Sequence, residues 1–202
     1  MSDCGRYGLS VIAFVGSVFS PYYAWSGRRD PEDHVCINVA LYAPGASRWS
    51  MTERSRRSAV RSAASFRVGP SALRWDGGEL AIAFDEISLP RPPAQWLPRR
   101  IGGEIRLRPA AVTSQIFDIG PGGRHHWWPI APVAAIEADL ATGDMSGWSG
   151  HGYLDSNWGE EPLEKDFLRW DWARGRTPSG DAVIVYDAMH ADGGDTRFCL
   201  RA

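Results

Sequence analysis

Short alternating segments separated by turn residues are the feature that most constrains what this chain can fold into. The 202 residues include 22 Gly and 14 Pro, and few segments show helical periodicity. A series of about ten short strands with regular turns is typical of an all-β sandwich or barrel. We therefore predict an all-β fold built from antiparallel strands.

Individual segments support this prediction. The segment 73–80 centres on Asp76-Gly77-Gly78-Glu79, which is a strong hairpin signal. Further hairpins are predicted from 133–140 with 147–154 and from 167–172 with 182–186. The apolar run 9–19 reads as a buried strand, and 54–64 is the best helix candidate. We treat residues 1–202 as one β region, with the proline-rich stretch 90–98 as the only candidate internal boundary.

Composition excludes several classes of protein. A formal net charge of −2 gives no argument for nucleic-acid binding, so none is expected. The three cysteines have no metal-knuckle spacing, and their odd number argues against a disulfide framework, which favours a reducing compartment. The apolar run 9–19 is too short to span a bilayer. We expect a cytoplasmic protein with at most peripheral contact with an inner or photosynthetic membrane.

Two segments give candidate contact surfaces. The first is a basic cluster in the predicted helix, which can lie against anionic headgroups or form a solvated helix face. Its members are Arg54, Arg56, Arg57 and Arg61. The second is the aromatic segment 20–25, which can be a rim for an apolar ligand or a packed loop.

The stretch 124–157 holds the residues with the most chemistry. Alternate residues of an extended strand point to one face. The residues that share faces are His126 with Trp128, and His151 with Tyr153, Asp155 and Asn157. His125 and Trp127 are expected on the opposite face from His126. We predict that a proton donor, a proton relay and aromatic rings converge on one cavity.

Each candidate has a functional and a structural interpretation. Asp155 among aromatic rings can stay protonated and act as a general acid, or it can be a strand-end residue bonded to the next turn. His126 can relay a proton or position water, or be a buried neutral histidine. Trp128 and Tyr153 can stabilise a cation through their π faces, or simply pack in the core.

A metal site is the competing chemistry. Its ligands would come from His125, His126, His151 and Asp155. Adjacent histidines on a strand point in opposite directions, so only one of His125 and His126 can contribute. We therefore favour a site without metal, and no cofactor motif is present.

Several long segments resemble the bacterial carotenoid 1,2-hydratases, also called hydroxyneurosporene synthases. They are GLSVIAFVGSVFSPYYAW at 8–25, INVALYAPGASRWSMTER at 37–54, the turn 69–71, RHHWWPIAP at 124–132, WSGHGYLDSNWGEEPLE at 148–164 and RWDWAR at 169–174. The resemblance implies a lipocalin-like antiparallel fold within a two-barrel architecture. It also predicts that this chain is an incomplete member, because relatives extend beyond both of its ends.

The resemblance also implies a function. It predicts cofactor-independent addition of water to the terminal 1,2 double bond of acyclic carotenes such as neurosporene or lycopene. The family's important positions fall on His126, Trp128, Tyr153 and Asp155. We assign Asp155 as the acid and Trp128 and Tyr153 as rings beside the cation. His126 is assigned as the group that positions water and takes up the released proton. Two alternatives remain: a non-catalytic binder of apolar ligands, and a pericyclase-type enzyme on the same scaffold.

Overall fold

Antiparallel strands make up most of the chain. The computed structural model describes residues 1–93, 95–142 and 147–202. The strands are β1 Gly8–Val15, β2 Val35–Ala43, β3 Ala46–Met51, β4 Ala59–Arg61, β5 Ser65–Val68, β6 Ser71–Asp76, β7 Glu79–Ser88, β8 Arg99–Pro109, β9 Phe117–Asp118, β10 His125–Leu140, β11 Trp148–Gly159, β12 Phe167–Arg176, β13 Ala182–His190 and β14 Asp195–Arg201. The described residues also form two short α-helices, α1 Pro21–Trp25 and α2 Leu163–Asp166, and three 3-10 turns, Pro31–Asp33, Arg56–Ser58 and Pro121–Gly123. The predicted all-β, antiparallel fold is confirmed.

The strands of the described residues form three sheets. One has the order β1-β2-β3, one runs β11-β10-β8-β7-β6-β5-β4 with β9 paired to β10, and one has the order β12-β13-β14. Across the described ranges none of these sheets closes into a barrel. The lipocalin relationship and the two-barrel architecture therefore stay predictions.

The chain divides into two compact units that alternate along the sequence. Unit 1 contains Met1–Arg108 and Ala135–His151, and unit 2 contains Pro109–Ala134 and Gly152–Ala202. The boundary that we predicted at 90–98 includes position 94, which lies outside the described residues. That boundary and the description of the chain as one region stay predictions.

Turn chemistry explains the hairpins that were predicted correctly. Gly77 and Gly78 adopt φ angles of 59° and 97°, the left-handed region that a tight turn between β6 and β7 needs. Along β7, buried residues alternate with residues that are half-buried or exposed, as the sequence predicts. The pair β12 and β13 is also confirmed. Both strands of the hairpin predicted from 133–140 and 147–154 are present, as parts of β10 and β11. Residues 143–146, which connect them, lie outside the described residues.

Two predictions for unit 1 are wrong. Residues 9–15 of the run 9–19 form a strand as predicted, but β1 is not buried, because it lies at the edge of its sheet and only Gly8 in it is buried. The segment 54–64 is not a helix: it forms a 3-10 turn, Arg56–Ser58, and then β4, which pairs with β5. Its Arg and Ser residues provide no apolar helical stripe, so strand pairing prevails.

Candidate active site

Strand β10 has two distinct faces, and the more buried one faces the core of unit 2. His125, Trp127 and Pro129 are buried, whereas His126 and Trp128 are half-buried. This is the alternation expected of a pleated strand. The faces therefore carry different chemistry although their residues are adjacent in sequence.

Trp127 is the centre of an aromatic cluster in unit 2. Its side chain is 0% exposed, and its ring centroid lies 5.4 Å from Phe117, 5.3 Å from Tyr186 and 5.6 Å from Phe198. The indole Nε1–H is the only polar group of this side chain, and it must find an acceptor when it is buried. It donates at 3.0 Å to Tyr153 Oη and at 3.0 Å to Asp155 Oδ2.

Asp155 is held on the same face of β11 as Tyr153 and Asn157. Asn157 Nδ2 donates to Asp155 Oδ2 at 3.2 Å, so this oxygen accepts two N–H groups. Burial raises the pKa of Asp155, while hydrogen bonds from Tyr153, Trp127 and Asn157 oppose that rise. The result is a carboxyl group that stays neutral to a higher pH than an exposed Asp.

Two tyrosines share this environment. Burial raises the pKa of both Tyr153 and Tyr186 above the usual value, and the charge of Asp155 adds to each rise. Within the described residues, the buried Tyr186 Oη has no hydrogen-bond partner. The Arg174 guanidinium lies 5.6 Å from the Tyr153 ring centroid and donates to Pro132 O at 2.7 Å. The site thus combines one acidic group with neutral hydroxyls and a nearby cation.

Within the described residues, neither His126 nor Trp128 hydrogen-bonds to the Asp155 carboxyl. His126 Nδ1 lies 2.8 Å from Asp118 Oδ1, and its ring lies 5.2 Å from the Trp158 ring. Trp128 Nε1 donates to Thr113 O at 2.7 Å. The two residues share a face, as predicted, but the opposite face of β10 supplies the ring that contacts Asp155 and Tyr153.

A second polar group in unit 2 was missed by sequence reasoning. The buried His125 Nε2 lies 2.8 Å from Asp166 Oδ2, and Arg124 Nη2 donates to Asp166 Oδ1 at 2.6 Å. Arg124 and His125 together lower the pKa of Asp166. Gly120 and Gly159 leave room for the imidazole, because a Cβ on either would overlap it. These partners lie about 40 residues apart in sequence, and no local pattern connects them.

Other features of the described chain bear on binding. A groove of about 340 Å³ in unit 2 is lined by Thr113, Pro132 and Asp181, among others, but not by Asp155. Over residues 1–93, 95–142 and 147–202, no three His, Cys, Asp or Glu side chains are grouped as metal ligands. In the same ranges no helix has the length and apolar character needed to cross a membrane.

Comparison with known proteins places these residues in a family. The family model described as Carotenoid hydratase CrtC matches residues 11–202. The acyclic carotenoid 1,2-hydratase of Thiocapsa roseopersicina is 48% identical over 204 residues, covering 100% of this chain and 48% of that protein. That of Rubrivivax gelatinosus is 46% identical, covering 96% and 48%. That of Cereibacter sphaeroides is 45% identical, covering 91% and 62%.

The chain spans about half the length of the first two of these relatives. No solved structure matches it. The family match nevertheless includes almost every described residue of both units, among them all of β10, β11 and the Asp155 site. This chain therefore belongs to the carotenoid hydratase family.

Proposed function

We propose that this chain provides the acid site of an acyclic carotenoid 1,2-hydratase, a hydro-lyase that adds water to a terminal carbon–carbon double bond. The proposal rests on the environment of the Asp155 carboxyl. This group is hydrogen-bonded to Trp127 and Tyr153, and burial raises its pKa. The names of the relatives from Thiocapsa and Rubrivivax support a carotenoid substrate. Neurosporene and lycopene are the acyclic carotenes that we propose.

The reaction follows from the chemistry of an isolated trisubstituted alkene. Asp155 transfers its proton to the CH carbon, and the alkene π electrons form the new C–H bond, which leaves a tertiary cation. Water adds through its oxygen to the cation, and the resulting oxonium loses a proton, which restores the neutral acid. No electrons are gained or lost overall, so the proposal includes no cofactor.

The surroundings of Asp155 suit this role. A general acid must be protonated at the working pH, and burial favours the neutral carboxyl. The half-buried Tyr153 ring offers a π face that can stabilise a cation by about 1–2 kcal/mol when desolvated. Trp127 is buried among other rings and contributes its N–H group to Asp155. The roles predicted for His126 and Trp128 stay predictions.

The test is carotenoid analysis of lycopene- or neurosporene-accumulating cells that express this chain. We expect a hydroxylated product from the parent and a loss of at least about 100-fold in Asp155→Asn, because general acid catalysis commonly contributes that much. Asn keeps an acceptor for the Trp127 N–H, so the local structure is preserved. Asp171→Asn is the matched control, because Asp171 is exposed and pairs with Arg169.

Several outcomes would overturn this proposal. Near-parental turnover in Asp155→Asn would exclude Asp155 as the acid. Folded protein that binds the carotene equally well with and without the carboxyl, but forms no product, would indicate a binder. A ring-closed product would indicate a pericyclase-type enzyme.

We further propose peripheral contact with an inner or photosynthetic membrane from the cytoplasmic side. The predicted basic cluster gives little support, because Arg54 pairs with Glu86 and Arg56 with Asp33. Exposed aromatic residues of unit 1 support it better: Phe19, Tyr22 and Trp25 are 55%, 63% and 77% exposed. Trp and Tyr are favoured at the interface of a bilayer.

Vesicle sedimentation tests the membrane contact. We expect Trp25→Ser to reduce binding to phosphatidylglycerol-containing vesicles several-fold, because it removes the most exposed ring of the segment. Trp96→Ser is the control, since Trp96 is 71% exposed in unit 1 and lies outside the aromatic segment. Equal binding by the two variants would contradict the proposal.

A further inference from the structure

The two oxygens of the Asp155 carboxyl are not equivalent. Oδ2 accepts the Trp127 Nε1–H at 3.0 Å and the Asn157 Nδ2–H at 3.2 Å. Trp127 is fully buried and fixed by three aromatic neighbours. Asn157 is two residues along β11 from Asp155, so the pleat places both side chains on one face. Two different strands therefore converge on a single oxygen atom.

A neutral carboxylic acid has one carbonyl oxygen and one hydroxyl oxygen. The carbonyl oxygen has two lone pairs and can accept two N–H groups. A proton on Oδ2 would compete with the two N–H hydrogens for the same lone pairs. The arrangement therefore favours Oδ2 as the carbonyl oxygen and Oδ1 as the hydroxyl oxygen.

We propose that Trp127 and Asn157 are positioning residues that occupy Oδ2 of Asp155 and so place its transferable proton on Oδ1. The inference rests on the proposed function, because the position of this proton has catalytic meaning only if Asp155 protonates a substrate. Trp127 acts through its N–H group rather than through contact with the reacting carbon. The sequence analysis placed Asn157 on the face of Asp155 and Trp127 on the opposite face from His126, but it assigned a role to neither.

The proposal has a measurable electrostatic consequence. Burial raises the pKa of Asp155, and the hydrogen bonds from Tyr153, Trp127 and Asn157 each lower it by stabilising the carboxylate form. Tyr153, Tyr186 and Arg174 are titratable or charged groups near the site. Burial keeps both tyrosines neutral beyond their usual pH range, and Arg174 remains a cation. A titration between pH 3 and pH 9 therefore reports on Asp155.

The experiment measures the 13C chemical shift of Asp155 Cγ against pH in the full 202-residue chain, with the signal assigned by its loss in Asp155→Asn. Trp127→Phe keeps the ring and removes the N–H, and Asn157→Ala removes the amide. We expect the midpoint to rise by about one to two pH units in each variant, the effect of losing one hydrogen bond to a charged group. Trp96→Phe is the control and should leave the midpoint unchanged.

Hydratase assays on the same variants complete the test. The pH at which activity falls should move upward with the midpoint, a change that a purely structural role would not produce. If Trp127→Phe does not fold, Asn157→Ala decides alone, because Asn157 is exposed at the end of β11. A midpoint that stays constant or falls, or that rises in only one of two folded variants, overturns the assignment of the proton.

This design separates the inference from the proposed function. If the midpoints rise as expected while the parent forms no hydrated product, Trp127 and Asn157 bond to the carboxyl group as inferred but the chain is not a hydratase. If product forms and depends on Asp155 while the midpoints do not move, the function holds and the roles of Trp127 and Asn157 are refuted.

Discussion

Asp155 shows how far single residues can be interpreted from the sequence. Alternation within a strand correctly grouped Tyr153 with Asp155, and His126 with Trp128. It did not reveal which face of β10 meets Asp155, because that choice depends on how two strands align. A shift of one residue in alignment exchanges the faces. Trp127 and Trp128 are therefore indistinguishable in sequence, although only Trp127 bonds to the carboxyl.

The raised pKa of Asp155 predicts a pH-dependent effect on stability. A folded-state pKa above the ordinary 3.8 means that the folded protein binds this proton more tightly than the unfolded chain. The contribution of this group to the free energy of unfolding is therefore fully present below the ordinary pKa. It is lost as the pH rises through the folded-state pKa. Asn at position 155 has no proton to lose.

We thus expect Asp155→Asn to have a larger free energy of unfolding than the parent at pH 8, with the difference shrinking towards pH 4. Urea unfolding at both pH values measures it, and Asp171→Asn is the control. A variant that is less stable than the parent at pH 8 would show that the hydrogen bonds to the carboxylate outweigh its burial.

Elements were predictable where turns and alternation coincide. Strands β6 and β7 were predicted because two glycines define the turn and Leu80, Ile82 and Phe84 define one face. The segment 54–64 was not, because its helical prediction rested on composition rather than on an apolar stripe. Strand β1 was predicted to be buried because it is hydrophobic. It lies at the edge of its sheet, since β2 is its one neighbour among the described strands of that sheet. Neighbour relationships of this kind lie outside any local pattern.

The end of β11 allows a test of how closely unit 2 packs around His125. A Cβ at Gly159 would overlap the His125 ring, whereas a Cβ at Gly175 in β12 would meet nothing within 4 Å. We expect Gly159→Ala to lower the free energy of unfolding by about 1–3 kcal/mol, the usual cost of overpacking. Gly175→Ala should have little effect. Equal free energies of unfolding for the two variants, from thermal or urea unfolding, would mean that His125 can move aside.

The whole molecule consists of two units whose segments alternate along the chain. Unit 1 takes residues from both sides of Pro109–Ala134, so a single cut in the sequence cannot separate the units. Composition predicts only 90–98 as a linker, because this stretch is rich in proline. The interleaved division arises from long strands, β10 and β11, each of which contributes residues to both units. Such a division becomes visible only when distant segments are paired in space.

The three cysteines provide a probe of the intact molecule. Burial raises the pKa of Cys36 to about 11, whereas Cys4 and Cys199 are exposed. Because the thiolate is the reactive form, we expect a thiol reagent at pH 8 to label two cysteines in the native protein and three in urea. Mass spectrometry identifies the sites. Rapid native labelling of Cys36 would show that β2 opens readily, since this strand is buried from Val35 to Leu41.

The prolines of β10 interrupt the hydrogen-bond ladder inside a sheet. Pro129 and Pro132 have no N–H to donate, although β10 lies between β11 and β8. Their carbonyl groups accept from side chains instead, since Thr113 Oγ1 donates to Pro129 O and Arg174 donates to Pro132 O. The backbone next to Trp127 is therefore fastened by side chains as well as by neighbouring strands.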